Sequence, residues 1–273
     1  MADLNSEGGF APLPTAGADL RFALGLPPPS NRSAPAKPAL ERPPILRLES
    51  VDSTQNYAAE LAANGAVDGT VVVAGTQTTG RGRRGRVWHD APGSSLLLSM
   101  VLRTPLPAAH VPLLSFVAAV AVAEALRTAA GVDARLKWPN DVHVHGRKIA
   151  GILLELRGAV VVLGIGVNVL QRELPADLRT LATSIALETG FADREALLSA
   201  VVDGVVRWRD RLEREGFAPV RARWTALATT PGRYVSADGA AGVARGLDDD
   251  GALIIDNDTG TVRILAGDVV ELG

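Results

Sequence analysis

The run ARLKWPNDVHVHGRKIAGILLELRGAVVVLGIGVNV at residues 134–169 sets the architecture. Its apolar residues come in short blocks cut by Gly, Pro, Asn and Asp, which is the pattern of successive strands. IAGILLEL (149–156) and VVVLGIGVNV (160–169) read as two central strands around a turn at Arg157–Gly158. ARLKWP (134–139) and Val142–Val144 read as shorter strands joined by a tight connection. Working outward, ILRLES alternates from Ile45, Asp52 or Ser53 caps a helix to Asn64, and Gly65 stops it. TVVVAGT (70–76) and SLLLSMVL (95–102) read as buried strands, followed by an apolar helix over about 109–130 ended by Gly131. Asp193 caps a helix to Glu215, and another follows at roughly 218–227. From Tyr234 the chain becomes YVSA, GVARGL, GALIID, TVRIL and DVVEL, short strands at hairpin spacing that predict a separate five-stranded barrel. The expectation is an α+β protein: a sheet-and-helix domain over 45–230 and a small all-β domain over 231–273. Residues 1–44 hold 9 of the 17 prolines and read as a disordered tail.

Composition narrows the chemistry. With no cysteine there is no disulfide framework, thiolate zinc site or cysteine nucleophile. Four scattered histidines argue against a histidine-built metal centre. A pI of about 6.1 is not that of a general nucleic-acid binder. The apolar stretch Val111–Ala123 is too short to span a bilayer, and the N-terminus lacks a signal peptide's basic start and apolar run. These features predict a cytoplasmic protein.

Four segments could carry chemistry. GRGRRGRVWHD (80–90) packs four arginines into six residues, interleaved with glycines. Glycine lets backbone N–H groups approach an anion, and arginine adds forked, permanently charged donors. The loop suits a polyphosphate or a carboxylate being activated, and Trp88 offers a flat face for a purine. A solvated basic turn, or a nucleic-acid patch built on the 81–86 arginines, is the plainer alternative. No Walker A loop occurs. KWPNDVHVHGRKIAGILLE (137–155) holds two of the chain's three lysines, Lys137 and Lys148, among 25 arginines. A lysine kept in such a chain points to a site that needs a compact point charge. Asn140 and Asp141 fall at a strand end, where Asp141 could orient a cation or a lysine; an ordinary turn after Pro139 is the alternative. His143 and His145 flank Val144, and their rings are expected on one face of a strand. In GIGVNV (164–169), Gly164 and Gly166 imply that a ligand or another backbone passes close, and Asn168 ends an apolar strand. DSTQN (52–56) is a helix N-cap whose hydroxyls could also face a ligand.

In chain order, DSTQN, TQTTGRGRRGRVW, SLLLSMVLR, KWPNDV, GRKIAGILLE and GIGVNV resemble the biotin protein ligase family, which attaches biotin to carboxylase carrier domains. The C-terminal GALIID and AGDVVEL resemble that family's small domain. The resemblance implies a mixed sheet with flanking helices like that of class II aminoacyl-tRNA synthetases, plus an SH3-like C-terminal barrel. It implies an ATP-dependent ligase that forms biotinyl-5′-AMP. The biotin then passes to a lysine of the biotin carboxyl carrier domain of acetyl-CoA or a related carboxylase, with ATP and biotin as substrates and Mg²⁺ required. By similarity Lys148 and Arg83 are catalytic. Biotin falls to Ser53, Thr54, Gln55, Gln77, Arg81, Gly82, Arg83 and Lys148. ATP falls to Arg84, Arg86, Trp88, Lys137, Asn140 and Asn168, and Asp141 is the candidate protein partner of the metal. The family's Ser-Thr pair is often followed by Asn; here Gln55 stands there and Asn56 comes next. Residues 1–44 are too short and proline-rich for the winged helix of the operator-binding members, so a monofunctional type is expected, without DNA or membrane partners, as monomer or homodimer. Lipoate–protein ligase is the alternative within the same fold.

Overall fold

The structure is a computed structural model that describes residues 43–176, 178 and 181–272, so the predicted tail lies almost entirely outside the described residues. Seven strands form the large sheet: β1 (Ile45–Val51), β2 (Val71–Gln77), β3 (Ser95–Leu102), β4 (Arg135–Lys137), β5 (Asp141–Val144), β6 (Arg147–Arg157) and β7 (Val160–Asn168). Their order is β1-β2-β3-β7-β6-β5-β4. Only β1 and β2 run parallel, and helix α1 (Thr54–Ala63) makes the crossover that a parallel pair requires. The hairpin expected at Arg157–Gly158 pairs Ala150–Arg157 of β6 with Val160–Val167 of β7.

Strand alternation gives the sheet two different faces. Leu96, Leu98, Met100, Leu163, Ile165 and Val167 turn to one side. There they pack against α2 (Leu114–Ala129), α4 (Arg194–Glu215) and α5 (Ala218–Leu227). Burying each such Leu or Ile side chain contributes about 1.5–3 kcal/mol. Glu124 on α2 locks these helices together by accepting hydrogen bonds from Arg207 (3.0 Å), Trp208 (2.8 Å) and Arg223 (2.7 Å). Burial alone would raise the Glu124 carboxyl, but these donors hold it below its ordinary value. On the opposite face Val72, Ala74, Val101 and Val162 pack under Ala58 and Leu61 of α1. Alpha-helical cover stops there, and the rest of that face forms the floor of a cavity.

The helix expected over about 109–130 is instead a 3-10 turn, Ala108–Leu113, followed by α2. Pro112 lies inside that turn, where its missing N–H forbids a regular helical bond. Taken together, residues 108–129 are long and apolar enough to cross a bilayer, which Val111–Ala123 alone did not suggest. Most of that segment, however, is buried between the sheet and α4. The helix at 194–215 lies where its Asp193 cap places it, and the helix at 218–227 follows as expected. The short helix α3 (Ile185–Thr189) was not foreseen.

The C-terminal strands β8 (Tyr234–Ala237), β9 (Ala240–Leu247), β10 (Leu253–Asn257), β11 (Gly260–Ile264) and β12 (Val270–Glu271) form an antiparallel sheet in the order β11-β10-β9-β8-β12. The expected strands are present, but their apolar side is not a separate core. Val235, Ala244, Leu253 and Ile255 join the cluster under the large sheet. Trp138, buried beside β4, donates its indole N–H to the Gly251 carbonyl at 3.3 Å.

Candidate active site

Ser53 is the N-cap of α1, its hydroxyl accepting the Gln55 N–H at 3.3 Å. Asp52, the other expected cap, instead accepts from the Asn56 side chain at 2.7 Å. The α1 N-terminus faces the uncovered part of the sheet and makes one end of a cavity of about 290 Å³. Gln77 Oε1 accepts from both the backbone N–H (2.8 Å) and the hydroxyl (3.0 Å) of Thr54. The Ser99 hydroxyl sits 2.9 Å from Thr54 Oγ1 and from Gln55 Oε1. This end is polar but uncharged.

The floor is built from glycines. Gly151, Gly164 and Gly166 share the cavity face of β6 and β7, while Ile165 between them turns to the core. Gly164 and Gly166 are expected to admit a ligand or a backbone, but what passes close to them is two side chains. A Cβ on Gly164 would lie 2.7 Å from Gln55 Oε1, and one on Gly166 would lie 2.7 Å from the Trp88 ring. The Gln55 amide is held inside, donating to the Val162 carbonyl at 2.9 Å. The Trp88 ring covers Gly166 and Gly151, with its indole N–H buried and unpartnered.

The mouth is cationic. Residues 80–88 form a small hairpin, closed by Gly82 N–H to the Arg86 carbonyl (2.7 Å) and Trp88 N–H to the Gly80 carbonyl (3.0 Å). Its tip needs two left-handed residues, Arg84 (φ 56°) and Gly85 (φ 72°). Arg81 pairs with Glu155 at 2.6 Å. Arg83 donates to Asn140 Oδ1 at 2.9 Å, and Asn140 itself donates to the Ile152 carbonyl at 2.8 Å. Burial lowers the Arg83 guanidinium below its ordinary value, with the Asp268 charge opposing. Arg86 pairs with Asp268 at 2.8 Å. Lys137 and Lys148 complete the rim, and Lys148 Nζ lies 2.7 Å from Asp141 Oδ1. Burial alone would raise the Asp141 carboxyl, but the His143 imidazole beside it and the Lys148 charge hold it below its ordinary value.

Lys148 reaches this cavity because the sheet is irregular there. Gly151 pairs with Asp141 and Ala150 with Val142, but His143 then pairs with Lys148, skipping Ile149. This β-bulge reverses the alternation, so Ile149 enters the core and Lys148 faces the cavity.

Of the residues expected at the site, the cavity gathers Ser53, Thr54, Gln55, Gln77, Arg81, Gly82, Arg83, Arg86, Trp88, Lys137, Asn140, Asp141 and Lys148. Two are not brought there. Arg84 lies outside at the hairpin tip, 3.7 Å from Asp268, because its left-handed backbone turns it away from the cavity. Asn168 is buried at the end of β7, opposite Ser95 of β3, donating to the Thr183 carbonyl at 2.9 Å. His145 is not on a strand with His143: it sits in the β5–β6 turn at φ 49° and its ring meets Glu188 at 3.0 Å. Among the described residues no group of three His, Cys, Asp or Glu could hold a metal ion. Sequence reading missed Ser99, Trp138, Asp268 and Val269, all of which line the cavity. For Ser99 a signal existed: it is polar in a buried strand, two residues from Leu97 on the same face. Asp268 and Val269 lie in the AGDVVEL motif, but nothing local ties that motif to the arginine loop.

Residues 48–170 match the biotin/lipoate A/B protein ligase family, and residues 236–270 match the biotin protein ligase C-terminal domain. A biotin–acetyl-CoA-carboxylase ligase of Paracoccus denitrificans is 40% identical over 237 residues, covering 81% of this chain and 98% of the relative. One of Mycobacterium tuberculosis is 36% identical, covering 83% and 89%. The solved biotin protein ligase of Aquifex aeolicus in complex with biotin and ATP superposes with a TM-score of 0.77 at 31% identity, covering 83% of this chain and 97% of that one. The chain belongs to the biotin protein ligase family.

Proposed function

We propose that the chain joins biotin to ATP as biotinyl-5′-AMP and passes the biotin to a lysine of a biotin carboxyl carrier domain of acetyl-CoA or a related carboxylase. One observation carries this reading: a neutral, hydroxyl- and amide-lined pocket runs directly into an arginine- and lysine-lined mouth. A flat ureido ring needs several hydrogen bonds and no charge, which Ser53, Thr54, Gln77 and Ser99 offer. Both Oε1 contacts of Gln77 go to Thr54, which leaves its amide NH₂ for a ligand. A lipoyl dithiolane would need an apolar slot, so the lining favours biotin over lipoate.

In the first step a carboxylate oxygen of biotin attacks the α-phosphorus of ATP, and the bond to pyrophosphate breaks. Two anions must meet, so the task is charge cancellation and positioning. Lys148 bridges carboxylate and α-phosphate. Arg83, with Arg81 and the Gly82 backbone, closes over them, and Arg86 with Lys137 and Asn140 takes the nucleotide side. Trp88 walls the pocket between the two. In the second step the carrier amine attacks the acyl carbon and AMP leaves. Asn168 and Arg84 support the site from outside it. Asp141 offers one carboxylate, already paired with Lys148, so magnesium is assigned to ATP as its substrate complex and no step runs through a protein-held metal.

The family membership also leads us to infer a class II synthetase-like catalytic domain over 45–230, an SH3-like domain over 231–273, a cytoplasmic location, and a monomer or homodimer without DNA or membrane partners. ATP–pyrophosphate exchange is the test. Exchange that requires biotin and is not supported by lipoate is expected; exchange equally supported by lipoate would overturn the assignment.

A further inference from the structure

We propose that Glu188, which does not touch the cavity, is a positioning residue for Lys148; the inference rests on the role given to that lysine above. The bulge that turns Lys148 into the cavity also frees its backbone for a partner other than β5. Its N–H donates to the Leu181 carbonyl and its carbonyl accepts the Thr183 N–H, both at 2.8 Å. Residues 181–184 thus form a strap that fixes the peptide on both sides of the Lys148 Cα. Glu188 holds the strap. Its carboxylate, with a side chain only 8% exposed, accepts from Thr183 Oγ1 (2.5 Å) on the strap. It also accepts from Arg147 Nη2 (2.7 Å) on β6 and His145 Nδ1 (3.0 Å) in the turn before it. Thr183 is the strap residue bonded to the Lys148 carbonyl, Arg147 is the immediate neighbour of Lys148, and His145 lies in the turn before it. Asn168 is the second anchor, through the Thr183 carbonyl.

A lysine cancelling charge between two reacting anions must be placed to within a fraction of an ångström, because small misplacements remove most of the advantage of preorganisation. Asp141 holds only the tip of the long, flexible Lys148 side chain, so the root of that chain has to be fixed by the backbone. A carboxylate that joins strap, strand and turn does so without occupying the ligand's space.

The test is Glu188→Gln in the full chain, alone and combined with Lys148→Ala, assayed by biotin-dependent ATP–pyrophosphate exchange and by amide hydrogen exchange at Lys148. Arg147→Gln, at a side chain 37% exposed, replaces Glu188→Gln should the latter fail to fold. The expected result is a kcat about tenfold lower, a nearly unchanged KM for biotin, faster amide exchange at Lys148, and no further loss in the Lys148→Ala background. A purely structural glutamate would cost the same factor in both backgrounds, which overturns the inference. Unchanged amide protection beside an active lysine overturns it too. Full pyrophosphate exchange by Lys148→Ala alone overturns the role of the lysine and everything resting on it.

Discussion

Arg86 sets one guanidinium nitrogen 2.8 Å from both carboxylate oxygens of Asp268, across 182 residues of chain. Asp268 precedes β12 in the small sheet, so the C-terminal strands hold the arginine hairpin that closes the cavity. The pair is about half exposed, and such pairs contribute only about 0–1 kcal/mol. Asp268→Asn should therefore leave thermal stability almost unchanged but loosen the hairpin. A two- to fivefold faster release of preformed adenylate is expected, the equivalent of at most about 1 kcal/mol. Equal release rates would mean that the contact does not govern closure.

Lys148→Ala should lower adenylate formation at least a hundredfold. It removes one charge where negative charge develops, an effect of roughly 3 kcal/mol. Lys148→Arg should recover only part of this, since the longer planar fork must also replace the 2.7 Å contact with Asp141. Single-turnover formation of biotinyl-5′-AMP measures both; near-normal rates in the alanine variant would remove Lys148 from the mechanism.

Arg83→Gly takes away the hairpin's bond to Asn140 and adds a glycine to a turn that already has two left-handed residues. Arg81, Arg86 and Lys148 remain in the cavity, so adenylation should persist. The adenylate should escape sooner, since such changes appear mostly in the off-rate. Biotin on the lysines of a bystander protein in the same tube is the visible consequence, read by blot. A clean bystander and an unchanged off-rate would place the lid elsewhere.

Gly166→Ala puts a methyl group 2.7 Å from the Trp88 ring, so the indole must move. Overpacking of this kind costs about 1–3 kcal/mol, and here it also deforms the pocket wall. Biotin affinity should fall at least tenfold by calorimetry, more than stability alone would suggest. Unaltered affinity would show that Trp88 does not shape the pocket.

The Asp141 carboxyl titrates lower in the folded chain than in the unfolded one, so its contribution to stability is complete above about pH 3.9. That contribution fades as pH falls through the lower folded value. Asp141→Asn should be less stable than the parent at neutral pH, and the gap should close on acidification below about pH 4. Urea midpoints across that range decide it; a gap that stays constant down to about pH 2 contradicts the depressed value.

Much of the fold was legible because local rules govern it. The caps at Ser53 and Asp193, the apolar blocks of β2, β3, β6 and β7, and the turn at Arg157–Gly158 each follow from residues close in sequence. The departures have equally local causes, as where Pro112 divides the expected helix. Motif residues were legible as residue types, but not always as places. Asn168 ends its strand as expected, yet it ties down the strap at Thr183 instead of meeting the cavity.

Local sequence was enough to place most strands and the longer helices, to mark 80–90 as an arginine–glycine loop, and to single out the lysine at position 148. Tertiary structure alone decided which way that lysine points. Simple alternation from Gly151 would place Ile149 on the cavity face and Lys148 in the core; the one-residue bulge against His143 exchanges them. It likewise decided that Asp268 answers Arg86. The partners of a bulge and of a long-range ion pair lie on other strands, and pairing across a sheet is fixed by how the whole apolar face fills the core, which no local window contains.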